Sequence, residues 1–198
     1  MIAPMRAWEA LPDATLRPAG SVTAAFFRAG AGSYQQAAHL VHRLAYGRTS
    51  ARDNPIAVLT EGHGTCSTKH ALLAELAAEQ RLPLALMLGI YLMNERNTPG
   101  VGRVLARHGL AEIPEAHCYL MHDGVRIDIT RDIAAPTEAI GLLHEEQIAP
   151  RQIALYKVQI HQEFIRNWLE LTKCNKSWTF DELWSVREEC IAALAASV

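Results

Sequence analysis

The dipeptide Asp123-Gly124 constrains the fold of this chain more than any other feature, because it separates two short runs rich in apolar and aromatic residues. Aspartate and glycine tolerate the positive φ angles of the two-residue turn that best matches the twist of paired strands. The sequence therefore predicts a β-hairpin over residues 116–130. In this hairpin residue 122 faces residue 125, and residue 119 faces residue 128.

The register of the predicted hairpin brings a histidine and an aspartate to one face. Side chains alternate between the two faces of a strand, so His117 and Tyr119 share a face with Arg126 and Asp128. His117 and Asp128 are then diagonal neighbours, with backbones roughly 7–8 Å apart. An imidazole and a carboxylate are long enough to close that separation.

Cys66 lies at the predicted start of a helix, directly after a loop that contains Gly62 and Gly64. Unpaired backbone N–H groups at a helix start carry partial positive charge, which favours the thiolate form of cysteine. A cysteine, a histidine and an aspartate in this order can supply a nucleophile, a general base and a group that orients the base. We therefore predict that Cys66, His117 and Asp128 are the catalytic residues.

Three short motifs carry these residues in a fixed order. They are Gly64-Thr65-Cys66 at a helix start, Ala116-His117 on a strand and Asp128-Ile129-Thr130 at a strand end. This pattern resembles the transglutaminase-like superfamily over residues 56–132. The resemblance implies a transglutaminase-like or papain-like core of the α+β class, in which the helix of the nucleophile packs on a small antiparallel sheet. Papain-like relatives carry a glutamine a few residues before the nucleophile, and residues 59–63 contain none, so the second oxyanion donor stays open.

The resemblance also implies a reaction class, namely cysteine-dependent acyl chemistry on an amide bond. Cys66 would attack the carbonyl carbon, His117 would take and return protons, and the backbone N–H of Cys66 would bind part of the oxyanion. A protease, a deamidase or an amidase fits this chemistry, with a peptide or a small-molecule amide as substrate and no cofactor. An amine acyltransferase is the alternative, but water is the favoured acceptor because nothing in the sequence marks a second substrate site.

Zinc binding is a competing interpretation of the segment around the cysteine. His63, Cys66 and His70 are spaced like zinc ligands, and the last two would share a helix face. Paired Cys-x-x-Cys and His-Glu-x-x-His motifs are absent from the sequence, and three ligands here would leave His117 and Asp128 without a role. We therefore predict no metal site.

The other alternative is a non-catalytic binding module that keeps only the fold. An isolated cysteine near a helix start is more often a packing residue, and in such a module Cys66 would have that role. The three remaining cysteines are predicted to be structural: Cys118, Cys174 and Cys190.

A polar loop follows the strand that we predict over residues 84–91. It contains four consecutive side chains that can recognise a substrate: Asn94, Glu95, Arg96 and Asn97. Loops between core elements often carry recognition residues. We therefore predict that these four residues contact the substrate, with a solvated turn as the alternative.

Length and composition limit the architecture. With 198 residues, 49% of them hydrophobic, the chain can bury one substantial core, so we predict a single domain over residues 1–198. Around the core at residues 56–132 we expect an N-terminal helix over residues 33–47 and C-terminal helices over residues 151–198. The net charge of −2 gives no basic surface for nucleic acid. The sequence does not determine the oligomeric state.

Residues 82–93 form the longest apolar stretch, which contains Pro83 and Gly89 and is too short to cross a bilayer. No membrane association is therefore expected. The four cysteines form no disulfide framework, and the N-terminus lacks the pattern of a secretion signal. These features predict a cytoplasmic location.

Local signals set the remaining boundaries. The N-terminal helix is predicted to run from its cap Ser33 to Tyr46, and the final helix from a capping box of Thr179 and Glu182. Residues 144–146 are expected to form a solvated surface cluster.

Overall fold

A computed structural model describes residues 7–130, 138–172 and 178–196, which form a mixed α+β fold. The helices are α1 Ser21–Arg28, α2 Tyr34–Arg43, α3 Ala57–Glu61, α4 Cys66–Gln80, α5 Gly102–Arg107, α6 Leu155–Thr172 and α7 Phe180–Ala196. The strands are β1 Ala45–Tyr46, β2 His63–Gly64, β3 Ala85–Met93, β4 Ile113–His122, β5 Val125–Ile127 and β6 Leu142–Ile148. Among these residues no helix is long and apolar enough to span a membrane.

The strands form two sheets. Strands β1 and β2 pair in parallel, and a four-stranded sheet has the order β5-β4-β3-β6. The strand expected over residues 84–91 is present as Ala85–Met93, and the hairpin expected over residues 116–130 is present with strands Ile113–His122 and Val125–Ile127. Residues 144–146, expected to form a solvated surface cluster, belong to β6, an outer strand of this sheet in which Glu145 is exposed and its two neighbours are half-buried.

The predicted hairpin register is confirmed where the two strands pair. Asp123 and Gly124 have φ angles of 47° and 77°, as a two-residue turn of this kind requires. Strands β4 and β5 are antiparallel, with residue 122 opposite 125 and residue 121 opposite 126. The guanidinium of Arg126 lies over the ring of Tyr119, 4.7 Å from its centroid. These two side chains therefore share one face of the hairpin, as the alternation predicts.

Helix α2 begins where its sequence indicates, since the hydroxyl of Ser33 accepts the N–H of Gln36 at 3.3 Å. The predicted end at Tyr46 is wrong. The helix ends at Arg43 because Leu44 is extended and Ala45–Tyr46 pairs with His63–Gly64 in the small parallel sheet.

Contacts divide the chain into two compact units. The first unit comprises Met1–Leu88, Cys118–Asp132 and Glu146–Ala154, and the second comprises Gly89–His117, Ile133–Glu145 and Leu155–Val198. Within the first unit, α4 packs against α1, α2 and the 3-10 turn Pro150–Ile153. Leucines on several sides of α4 are fully buried, as expected for a helix surrounded by other elements: Leu72, Leu73 and Leu76.

The second unit contains a buried ion pair. The guanidinium of Arg187 on α7 donates to both carboxylate oxygens of Glu115 on β4, at 2.7 and 2.6 Å. Burial would raise the pKa of Glu115, but the charges of Arg187 and His161 outweigh it and lower the pKa to about 2.

The capping box at the start of α7 is confirmed, with Thr179 N–H donating to the Glu182 carboxylate at 2.9 Å.

Candidate active site

Cys66 is the first residue of α4, a helix of 15 residues. The preceding residue, Thr65, is the N-cap, and its backbone N–H donates to the hydroxyl of Thr68 at 2.9 Å. Cys66 is 6% exposed, and its sulfur lies 3.7 Å from the hydroxyl oxygen of Ser67. The cysteine therefore occupies the position at a helix start that its sequence predicts.

Gly64 allows the loop before Cys66 to approach α4 closely. A β-carbon at position 64 would lie 2.9 Å from Cγ of Lys69 and 3.2 Å from Cγ1 of Val58. Distances this short cannot be accommodated without movement of the neighbours. The glycine of the Gly-Thr-Cys motif is therefore required by packing around the helix start.

His70, one turn along α4, is fully buried, and its two ring nitrogens have different partners. Its Nδ1 lies 2.8 Å from the carbonyl oxygen of Cys66, and the backbone N–H of Ile129 donates to its Nε2 at 3.0 Å. A carbonyl can only accept and an N–H can only donate, so Nδ1 carries the hydrogen and the imidazole is neutral. In this state the lone pair of Nε2 is used, and His70 cannot act as a general base.

Asp128 follows strand β5 directly. Its Oδ1 accepts the backbone N–H of Thr130 at 2.9 Å and also the hydroxyl of Thr130. The same oxygen is 3.6 Å from Nε2 of His70, which carries no hydrogen. The carboxylate, with 36% of its side chain exposed, is therefore oriented by the backbone two residues further on.

Lys69 is also fully buried, and its ammonium group has three backbone acceptors. Nζ donates to the carbonyl oxygens of Leu44 at 2.6 Å, Thr130 at 2.7 Å and His42 at 3.4 Å. In the same region Nδ1 of His42 lies 3.2 Å from the carbonyl oxygen of Ile129. Sequence reasoning missed the roles of Lys69 and His42, because their partners are main-chain atoms distant in sequence.

His117 is a half-buried residue of β4 and belongs to the second unit, whereas Cys66 and Asp128 belong to the first. Within its unit the His117 ring meets the ring of Tyr91 edge-on, with centroids 6.3 Å apart. The hydroxyl of Tyr91 donates to the hydroxyl of Thr98 at 2.9 Å, which donates to Asn97. Tyr91, which sequence reasoning did not select, therefore connects the candidate base to the polar loop.

The four candidate substrate contacts all take part in the structure of their own loop. Asn94 Oδ1 accepts the N–H groups of Arg96 and Asn97, at 2.9 and 3.1 Å. The Asn97 amide donates to the Leu92 carbonyl at 2.8 Å.

The two charged residues of this loop have polar partners as well. The Glu95 carboxylate accepts the N–H of Gly100 at 3.1 Å, and Arg96 pairs with Glu138 at 3.1 Å. A surface cavity of about 550 Å³ adjoins the loop and is lined by Glu95, Gly100, Gly102, Arg103 and Ala106.

The two histidines of the zinc interpretation have backbone partners. Nδ1 and Nε2 of His63 each lie 3.0 Å from a carbonyl oxygen, those of Glu61 and Arg48. Both ring nitrogens of His70 are likewise used. Within residues 7–130, 138–172 and 178–196, no group of three or more His, Cys, Asp or Glu side chains is arranged to hold a metal ion.

Two of the other cysteines are fully buried, Cys118 and Cys190. Burial raises the pKa of the Cys190 thiol to about 12, and the charge of Glu115 adds to this effect. A thiol with so high a pKa remains protonated and unreactive near neutral pH. Cys174 lies outside the described residues.

No protein family model, curated protein or solved structure matches this chain.

Proposed function

We propose that this protein carries out cysteine-dependent acyl chemistry on an amide bond, on a transglutaminase-like core, with Cys66, His117 and Asp128 as its catalytic residues. One observation carries the proposal: Cys66 is the first residue of α4, and His70 links its carbonyl oxygen to the backbone N–H that follows Asp128. One side chain thus bridges the main chain of the candidate nucleophile and the main chain next to the candidate orienting residue, within one unit.

In the proposed reaction His117 takes the proton of the Cys66 thiol, and the sulfur attacks the amide carbon. The backbone N–H of Cys66 binds the oxyanion that forms. His117 then returns the proton to the leaving amine, which leaves a thioester on Cys66. Water, deprotonated by His117, attacks the thioester and releases a carboxylic acid and the free thiol. Asp128 stabilises the imidazolium and fixes its orientation throughout.

Hydrolysis is the preferred outcome because water needs no binding site of its own. The substrate class is a peptide or a small-molecule amide, and the polar loop with Asn94, Glu95, Arg96 and Asn97 is the proposed contact surface. A reducing compartment such as the cytoplasm suits an enzyme that depends on a free thiol.

A substrate screen tests the proposal directly. Wild-type protein and Cys66→Ala are incubated with peptides, glutamine amides and small amides, with and without an amine acceptor. We expect wild-type turnover that is lost in Cys66→Ala and kept in the matched cysteine variant Cys190→Ala. Equal activity of wild type and Cys66→Ala on every substrate would contradict the proposal.

The pairing of base and nucleophile has a separate test. If His117 and Cys66 form an ion pair, the thiolate raises the pKa of His117, so Cys66→Ala should lower it. NMR titration of the His117 ring in both proteins measures this shift. An identical His117 pKa in the two proteins would remove His117 from the proposed site.

A further inference from the structure

We propose that Lys69 and His70 are positioning residues that set the placement of Asp128 relative to Cys66. This inference rests on the proposed function, since the two side chains act through two residues of the proposed site rather than on the substrate. Both side chains are 0% exposed. They lie three and four residues after Cys66, which puts them on the same side of α4 as the cysteine.

His70 connects the two residues by hydrogen bonds of opposite polarity. Its Nδ1–H donates to the carbonyl oxygen of Cys66, and its Nε2 accepts the N–H of Ile129. A single rigid ring therefore fixes the separation between the first residue of α4 and the residue that follows Asp128. No aliphatic side chain of the same volume can make either bond, so the buried N–H of Ile129 would lose its acceptor and the Cys66 carbonyl would keep only its helical N–H partner.

Lys69 secures the next residue of the same segment. Its ammonium group donates to the carbonyl oxygen of Thr130 and to two carbonyls at the end of α2, those of His42 and Leu44. These two carbonyls lie at the negative end of the α2 dipole, which stabilises a cation. Three acceptors match the three N–H groups of an ammonium, and they compensate for removing the charge from water.

The carboxylate depends on this segment. Oδ1 of Asp128 is held by the backbone N–H and the hydroxyl of Thr130. Displacement of residues 129–130 would therefore rotate the carboxylate away from the direction in which it orients the catalytic imidazole. A loss of His70 or Lys69 should consequently reduce turnover through Asp128 and leave substrate affinity largely unchanged.

A direct catalytic role for His70 is the rival explanation, because the Asp128 carboxylate lies only 3.6 Å from its Nε2. The hydrogen-bond pattern argues against that role, since Nε2 accepts from Ile129 and a protonated Nε2 would face an N–H group. The ¹⁵N chemical shifts of His70 in the wild-type protein distinguish the two. We expect the Nδ1–H tautomer between pH 5 and pH 8, and finding Nε2–H or a titrating ring would overturn the proposal even if no variant folds.

Substitution supplies the second test. His70→Leu should reduce kcat about tenfold or more with little change in KM, whereas His70→Gln, which keeps a donor and an acceptor, should retain most of the activity. Lys69→Met should behave like His70→Leu. Leu76→Ala, a fully buried change further along α4, is the control for lost stability, and its turnover per folded molecule should match wild type.

A double-mutant cycle with Asp128→Asn decides whether the effect runs through Asp128. If it does, His70→Leu should cost far less in the Asp128→Asn background than in wild type. If wild-type turnover is normal but the losses from His70→Leu and Asp128→Asn multiply in the double variant, the positioning role alone is overturned. A wild-type protein without any Cys66-dependent turnover would overturn the proposed function and this inference with it.

Discussion

Nδ1–H of His70 donates to the carbonyl oxygen of Cys66 at 2.8 Å and its Nε2 accepts the N–H of Ile129, so the histidine one turn after the candidate nucleophile on α4 is a neutral structural residue. The base that the proposed reaction needs must therefore be a different histidine, and His117 on β4 is the candidate. The bond from the Ile129 N–H weakens the zinc interpretation, because it occupies the Nε2 lone pair that His70 would offer a metal ion.

Thiol reactivity should single out Cys66. The helix start and His117 both favour its thiolate, so iodoacetamide should alkylate it well below the unperturbed cysteine pKa of about 8.5. Cys118 and Cys190 should react far more slowly. His117→Ala should slow the alkylation of Cys66 at neutral pH, and mass spectrometry of peptides quantifies each site. The assignment is falsified if Cys66 reacts no faster than the two buried cysteines.

Gly64→Ala should destabilise the protein by about 1–3 kcal/mol, because the added methyl group would overlap Lys69 and Val58. Urea denaturation of the variant and of wild type measures the change in the free energy of unfolding. Gly141→Ala is the matched control, since nothing lies within 4 Å of a β-carbon at that position. Equal stability of the two variants would show that the neighbours of position 64 can move to accept a methyl group.

The ion pair of Glu115 and Arg187 should make stability depend on pH in the acid range. The folded pKa of Glu115, about 2, lies below its usual value of 4.5, so the stabilisation is present above pH 4.5 and is lost as the pH falls towards 2. Glu115→Gln should abolish this dependence and cost about 3–5 kcal/mol at pH 7, because Arg187 would stay buried without its partner.

Denaturation of Glu115→Gln and wild type between pH 2 and pH 7 checks that dependence, with Glu163→Gln on the exposed surface of α6 as the control. A parallel pH profile for Glu115→Gln and wild type would show that other groups dominate acid unfolding.

Glu79→Ala should destabilise α1 by about 1–2 kcal/mol, which is the cost of losing a strong N-terminal cap. The Glu79 carboxylate accepts the N–H groups of Val22 and Thr23, at 3.1 and 2.7 Å. Hydrogen exchange at these two amides should accelerate in the variant. Glu170→Ala, on the exposed surface of α6, should leave that exchange unchanged.

Elements with complete local signals could be predicted from the sequence. Asp123-Gly124 set the hairpin and its register, and Thr179 with Glu182 set the start of α7. Helix α1 has no such signal, because its N-cap is Gly20 and its first N–H groups are satisfied by Glu79 on another helix. Strand β6 was missed because its polar residues alternate on an outer strand, where exposure is compatible with sheet pairing.

The residues of the candidate site also differ in how far the sequence predicts them. Cys66 at a helix start followed from neighbouring residues alone, whereas the paired register ends at Ile127, so the face assigned to Asp128 stays a prediction. No local pattern indicated the main-chain contacts of Lys69 and His70, although His70 was considered as a zinc ligand, since these contacts depend on the fold of residues 42–44 and 129–130. The roles of Cys66, His117 and Asp128, the single domain and the substrate loop stay predictions.

The three acceptors of Lys69 are main-chain carbonyls, and this creates an asymmetry in mutational tolerance. No substitution at position 44 can delete the carbonyl oxygen that Lys69 binds, whereas any change at position 69 deletes or displaces the donor. Saturation mutagenesis should therefore find Leu44 permissive to other apolar residues and position 69 almost invariant. Genetic variation would reveal only one partner of the interaction, so covariation between positions could not detect it.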